Sequence, residues 1–153
     1  MAATTFASLD EVRAAVGRRL GTSDWVEVDQ ARVDRFADAT GDRQWIHVDV
    51  ARARRESPFG GPIAHRYLTL SLTNMLLPKL VEVRGASLGL NYGTGRVRFP
   101  GPLPVGRRVR ASADLVACDE VTGGIQTTIR VTVEVEDGDK PVCVVDALSR
   151  WLA

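Results

Sequence analysis

The sequence lacks an excess of charge of either sign, because its 20 basic and 19 acidic residues leave a net charge of +1 across 153 positions. No overall field therefore favours nucleic acid or an anionic membrane, and we expect neither partner. Lysine is also scarce, since Lys79 and Lys140 are the only two and every other basic residue is Arg. That bias indicates a GC-rich genome at least as readily as phosphate binding.

Cysteines and long apolar runs are few as well. Cys118 and Cys143 are the only cysteines, and each lies among apolar neighbours in a strand-like pattern, so we expect core residues and no disulfide. Charged residues interrupt the first 16 positions, and no apolar run approaches the roughly 20 residues that span a bilayer. We therefore expect a soluble, cytoplasmic protein, and its length predicts one domain, 1–153.

Three short helices are predicted in the first third of the chain. Residues 8–20 space apolar side chains by three or four, at Leu9, Val12, Val16 and Leu20. Asp29 is a suitable N-cap for a second helix, whose inward face is Val33, Phe36, Ala37 and Thr40. Asp49 similarly precedes a third helix over 50–55, before the Gly- and Pro-rich stretch 57–62 interrupts regular structure.

The segment 64–81 is the most apolar part of the chain, and its apolar residues occupy all sides of a helical wheel. Such a pattern predicts a long buried helix. The remaining half of the chain reads as strands: two pieces over 86–99 separated by Gly93 and Gly95, then 108–117, 125–135 and 142–152. Because 108–117 and 125–135 alternate apolar and polar residues, they suit an antiparallel sheet with one face in water. The sequence thus predicts an α+β fold, a curved antiparallel sheet wrapped around a buried central helix.

Asp42 and His47 place an acid and a base five residues apart, directly after Gly41. In a continuous helix, that spacing would put the two side chains about 140° apart. Gly41 readily takes the left-handed conformation that ends a helix, so we interpret Asp42 to His47 as a loop in which the side chains converge. An acid and a base on one loop indicate proton transfer.

Two segments, 36–47 (Phe-Ala-Asp-Ala-Thr-Gly-Asp-Arg-Gln-Trp-Ile-His) and 59–65 (Phe-Gly-Gly-Pro-Ile-Ala-His), resemble the MaoC-type, or hydratase 2, branch of the hot dog fold. The resemblance extends over most of the chain, through 91–93, 97–99 and 104–106. The family's signature is Asp-x-Asn-x-x-His, which Asp42 and His47 match. Gln44 replaces the Asn, as it does in the single-domain bacterial enoyl-CoA hydratases.

The resemblance implies a homodimeric (R)-specific enoyl-CoA hydratase of fatty acid metabolism that uses no metal or redox cofactor. Such an enzyme adds water to a trans-2-enoyl thioester, carried by CoA or acyl carrier protein, and gives a 3-hydroxyacyl thioester. By analogy, Asp42 and His47 hold the water, take its proton and return one to C2. Their separate duties stay open at this level.

Arg66 is the main departure from the family. The family's oxyanion donor is the backbone N–H of a Gly at this position, and Arg66 keeps that N–H but adds a long side chain. Either this side chain points away and leaves a working hydratase, or it fills the site. The second outcome motivates an alternative function, a non-catalytic or partner-dependent protein that binds acyl thioesters.

Other residues are weaker candidates for substrate binding, and each has a structural alternative. The set is Gln44, Trp45, Gly61, His65, Asn74, Arg96 and Arg98. His65 more readily bonds backbone across the loop than it catalyses, Trp45 borders the pocket or packs beneath the loop, and the two arginines meet coenzyme A phosphates or face solvent. Asp42, His47 and His65 also form a possible two-His, one-carboxylate metal set, but their spacing matches no metal signature.

Overall fold

The computed structural model describes residues 2–153, and helices dominate the first half of that range. They are α1 (Leu9–Ala14), α2 (Gln30–Thr40), α3 (Trp45–Val48), α4 (Val50–Glu56), α5 (Arg66–Ser71) and α6 (Thr73–Leu76), with a 3-10 turn at Leu77–Lys79. The strands are β1 (Thr4–Phe6), β2 (Arg19–Thr22), β3 (Val26–Glu27), β4 (Val81–Val83), β5 (Leu88–Arg98), β6 (Arg108–Val121), β7 (Gly124–Val135) and β8 (Pro141–Leu152). Between residues 2 and 153, no helix is both long enough and apolar enough to cross a membrane.

The main sheet is antiparallel and has the order β2-β6-β7-β8-β5, with β3 also paired to β6. The predicted alternation is confirmed, because β6 and β7 bury every second side chain: Val109, Ala111, Ala113, Leu115, Ile125, Ile129, Val131 and Val133. Their polar neighbours face outward in cross-strand pairs such as Arg130 with Asp146. One face of the sheet thus forms the core, and the other faces solvent.

Strand β5 differs from its prediction, since one strand replaces the two expected pieces. Its register with β8 shifts between Asn91 and Gly93 and again between Thr94 and Val97. The glycines are accommodated as irregularities within the strand rather than as a break, as in β-bulges. Among the described strands β5 pairs only with β8, so its outer edge is unpaired.

The predicted long buried helix is also different in form. Residues 66–79 are divided into α5, α6 and the 3-10 turn, with Leu72 as the junction and Pro78 in the turn. Burial is confined to one side, at Leu68, Thr69, Leu72, Thr73 and Leu76. On the opposite side Tyr67 is 71% exposed. This segment has apolar residues all around the helical wheel, but the sheet covers only one side of it. The pattern therefore overestimates how much of the segment is buried within one chain.

The first helix is shorter than predicted. Ser8 caps α1 by accepting a hydrogen bond from the Glu11 N–H, but the helix ends at Ala14 and the chain turns at Gly17, whose φ is +92°. Leu20 lies in β2 and is 3% exposed, so its burial comes from the sheet. The spacing of four residues between Val16 and Leu20 therefore does not reflect one continuous helix. The two cysteines are free, as expected, with Cys143 buried and Cys118 half-buried.

Candidate active site

Helix α2 ends at the position that the sequence predicts, and this fixes where Asp42 leaves the helix. Asp29 caps its start by accepting from the Arg32 N–H at 2.8 Å. Gly41 ends it with φ +79°, a left-handed conformation that favours glycine, and donates its N–H to the Ala37 carbonyl at 2.8 Å. The Asp42 carboxylate then accepts from the Gln44 N–H at 3.3 Å, which holds it at the start of the loop.

His47 does not lie in the loop that the sequence predicts, because the loop stops at Gln44 and α3 begins at Trp45. The short helix carries His47 inward, where the side chain is buried and its Nδ1 lies 2.7 Å from the Ile63 carbonyl. A carbonyl only accepts, so Nδ1 carries the proton and the lone pair is on Nε2. Burial lowers the pKa of His47, the bond to Ile63 and the charge of Asp42 oppose this, and His65 adds to the lowering.

Gln30 is part of the site, although the sequence interpretation did not include it. Its side-chain amide donates to the His47 carbonyl at 2.8 Å and to the Asp34 carboxylate at 2.9 Å. It thereby links the first turn of α2 to α3. No sequence signal identifies it, since a Gln in the first turn of a helix is ordinarily solvated.

His65 is enclosed at the centre of the site and is 2% exposed. Its Nε2 donates to the Asp42 carbonyl at 2.9 Å, the bond across the loop that was one of its two expected roles. Its ring stacks on His47 with centroids 3.9 Å apart and planes at 26°, while Phe36 contacts it at 4.9 Å. His65 therefore touches both Asp42 and His47.

Asp42, His47 and His65 lie close enough to share one small molecule. A carboxylate oxygen of Asp42 and one ring nitrogen of each histidine all fall within 4.8 Å of one another. One water that donates to two acceptors spans about 4.5 Å, so this separation suits a bridging water. It suits a metal poorly, because lone pairs lie in the ring planes and two nearly parallel planes do not converge on one ion.

A cavity of about 480 Å³ opens onto these groups. Its polar lining includes Asp42, Gln44, His47, His65 and Arg66, and its aromatic lining includes Phe36, Phe59 and Phe99. A largely apolar cavity with a few convergent polar groups is the usual form of a small-molecule site. The acid, the base and the first residue of α5 thus face one space.

Arg66 lines this cavity as the first residue of α5. It is exposed, and its Nη1 donates to the Phe99 carbonyl at 3.3 Å, which joins the start of α5 to the end of β5. Its backbone N–H belongs to the first turn of α5, where a helix offers no carbonyl partner. The side chain is therefore bound to the residue that follows β5, and Arg66 and Phe99 both line the cavity.

The remaining candidates lie outside this cavity, among the residues that the structure describes. Trp45 is half-buried and packs against the Arg52 guanidinium at 4.3 Å, and Gly61 is half-buried in the loop before Pro62. Asn74 is exposed, accepts from Asn91 at 3.3 Å, and lines a second cleft of about 870 Å³ beside β5.

Arg96 and Arg98 are also outside it, on the exposed surface of β5. Together with Arg130, whose contribution is the largest, they lower the pKa of Asp146 on the neighbouring strand. Their surroundings are therefore those of a solvated strand face.

Residues 11–137 match the family model described as MaoC like domain. The chain belongs to this family. A curated relative supports the assignment, since 3-hydroxyacyl-thioester dehydratase Z of Mycobacterium tuberculosis is 48% identical over 150 residues, which is 97% of this chain and 99% of that one. Nodulation protein N of Rhizobium leguminosarum bv. viciae is 47% identical over 136 residues, covering 88% of this MaoC-like chain and 84% of its own.

A solved structure agrees on the fold. The (R)-hydratase from A. caviae involved in PHA biosynthesis superposes with a TM-score of 0.72 at 24% identity, covering 89% of this chain and 96% of its own. At this identity the similarity shows the fold alone. The MaoC-like chain therefore has the hot dog fold, as its sequence predicts.

Proposed function

We propose that the protein catalyses the reversible addition of water to 2-enoyl thioesters, giving (R)-3-hydroxyacyl thioesters. One observation carries the proposal: the Asp42 carboxylate and the buried His47 imidazole have ligand atoms within 4.8 Å of each other, and both residues line a cavity that the first residue of α5 also lines. The name of the mycobacterial relative, a 3-hydroxyacyl-thioester dehydratase, describes the same reaction in reverse.

The geometry is consistent with one water held by Asp42 and His47 together. Asp42 and His47 Nε2 both present acceptors, so a water between them donates a hydrogen bond to each and directs an oxygen lone pair outward. As this oxygen bonds to C3, one proton passes to the pair and one proton returns to C2, so that the pair ends as it began. The lowered pKa of His47 keeps its imidazole neutral, and hence basic, near pH 7.

The thioester oxygen gains negative charge as C3 is attacked, and it needs a donor. Arg66 lines the cavity as the first residue of α5, and its backbone N–H, which has no carbonyl partner within the helix, can supply it. A single donor of this kind is typically worth about 3 kcal/mol in the transition state.

The direct test is hydration of a trans-2-enoyl-CoA, followed by loss of the enoyl absorbance. We expect Asp42→Asn and His47→Ala each to lower kcat/KM by about 100- to 10,000-fold, because each removes one acceptor of the water. Asp38→Asn is the matched control, since it makes the same chemical change in a surface ion pair with Arg43. Parent-like activity in both site variants would refute the assignment.

Arg66 decides between this proposal and an acyl-thioester binding protein without catalysis. If its side chain only bridges to Phe99, Arg66→Gly keeps activity within a few-fold of the parent. If the parent is inactive and Arg66→Gly gains hydration, the binding protein is the better description. A chiral assay of the product, by oxidation with an (S)-specific dehydrogenase, checks the stereochemistry, since an (R) product resists it.

We also propose that the protein, as a single domain over 1–153, forms a homodimer through β5. The strand has an unpaired outer edge, and alternate residues on one face of it expose large apolar side chains, at Leu88, Leu90 and Tyr92. A second copy that pairs with this edge would extend the sheet and cover these side chains. Sedimentation equilibrium tests this, and a monomer at micromolar concentration would contradict it.

A further inference from the structure

His65 makes contacts that the proposed chemistry has not yet used. Its Nε2–H donates to the Asp42 carbonyl, and one face of its ring lies 3.9 Å from the His47 ring. The ring of Phe36 packs against it at 4.9 Å. The two residues that would hold the water are therefore both in contact with this one side chain.

We propose that His65 is a positioning residue, whose ring ties the backbone of Asp42 to the imidazole of His47 and so sets the distance that the bridging water must span. The inference rests on the proposed function for its kinetic consequence. The positioning itself, in contrast, depends only on the contacts within this chain.

The polar atoms of His65 indicate that its side chain does more than occupy space in the protein interior. Because Nε2 donates to a carbonyl, the neutral ring carries its lone pair on Nδ1, and this atom is buried without a hydrogen-bond partner among the described residues. A buried unsatisfied polar atom destabilises a fold, so an apolar ring of the same size would pack here at lower cost. An imidazole at this position is better explained by its effect on Asp42 and His47.

The stacked arrangement also makes the pKa of His47 depend on His65. His65 lowers the pKa of His47, in the same direction as burial does and against the effect of Asp42. The other charged groups that face the pair are Asp42 from the loop and Arg66 from α5. Asp34 of α2 does not contact the pair directly, and it is connected to His47 through the side-chain amide of Gln30.

Two substitutions separate the functions of the ring. His65→Gln places an amide N–H near the position of Nε2 and keeps the bond to Asp42, but it removes the stacked imidazole. His65→Phe keeps a ring against His47 and loses the bond. Val33→Ala is the control for stability alone, because Val33 is a fully buried residue of α2 that does not line the cavity.

We expect His65→Phe to lower kcat by about 100-fold while KM changes less than about threefold, since a displaced acid or base costs rate rather than binding. His65→Gln should recover kcat to within about tenfold of the parent. In His65→Gln the acid limb of the pH–rate profile should move to higher pH. Val33→Ala should lower the melting temperature and leave the pH profile in place.

Histidine NMR gives a readout that needs no activity. The chain has only two histidines, so in either variant the remaining imidazole signal belongs to His47. We expect His47 to titrate at higher pH in His65→Gln than in the parent. An unchanged His47 titration in His65→Gln, or a His65→Phe enzyme with the parent's kcat, would overturn the inference. A parent without hydratase activity would refute the proposed function instead, and the NMR titration would still decide this one.

Discussion

The sheet β6-β7-β8 and the segment from Gly41 to Arg66 are held in place in different ways. In the sheet, long antiparallel hydrogen-bond ladders and a cluster of buried apolar side chains hold each strand by many contacts at once. In the segment, single hydrogen bonds fix single groups, such as Gln30 to the His47 carbonyl and His65 to the Asp42 carbonyl. Stability therefore resides mainly in the sheet, whereas the geometry of the acid and base depends on a few polar side chains.

The largest expected effect on stability comes from the sheet. Leu115 is 1% exposed and pairs across the ladder with Ile129, so Leu115→Ala should lower the free energy of unfolding by about 2–5 kcal/mol through the lost contacts and the cavity. Activity per folded molecule should stay the same. Urea denaturation and kinetics on the same samples measure both quantities. Val116→Ala, next in sequence and 40% exposed, is the control and should cost less than about 0.5 kcal/mol.

An intermediate effect on stability, with a large effect on rate, is expected from Gln30→Leu. It leaves the His47 carbonyl without its donor and should cost about 1–3 kcal/mol. Because α3 then loses its link to α2, kcat should fall at least about tenfold. The matched control is Gln126→Leu, which removes a bond from Arg150 on the sheet surface. Equal rates in the two variants would mean that Gln30 does not position His47.

The smallest expected effect is a dependence of stability on pH. The pKa of His47 is lowered in the folded protein, chiefly by burial, so the unfolded chain binds a proton at a higher pH than the folded one does. The contribution of His47 to the free energy of unfolding is thus fully present above its ordinary pKa of 6.5. It is lost as the pH falls through the lower pKa of His47 in the folded protein. Melting temperatures between pH 7.5 and 5 should show the decline in the parent and a weaker one in His47→Gln. The opposite slope would mean that protonation stabilises the site.

Much of the sheet could be predicted from the sequence, because the alternation over ten or more residues in β6 and β7 has one consistent interpretation. The helices were less predictable where a boundary depended on a neighbour in space. Leu20 continued the spacing of α1 but belongs to β2, and the segment 64–81 had no polar side although only one side is covered. Periodicity records which residues avoid water, and it does not record which partner covers them.

Within the candidate site, the sequence by itself determined the chemical groups. Asp42 and His47 stand in a recognisable sequence motif, Gly41 ends the preceding helix, and Arg66 departs from the family's pattern. Only the tertiary structure decided how these groups meet. It carried His47 inward on α3, fixed its tautomer through Ile63, directed the Arg66 side chain to Phe99, and brought Gln30 and His65 to the two backbone carbonyls. The reason is physical, since hydrogen bonds between residues 16 to 33 positions apart leave no periodic trace in the chain.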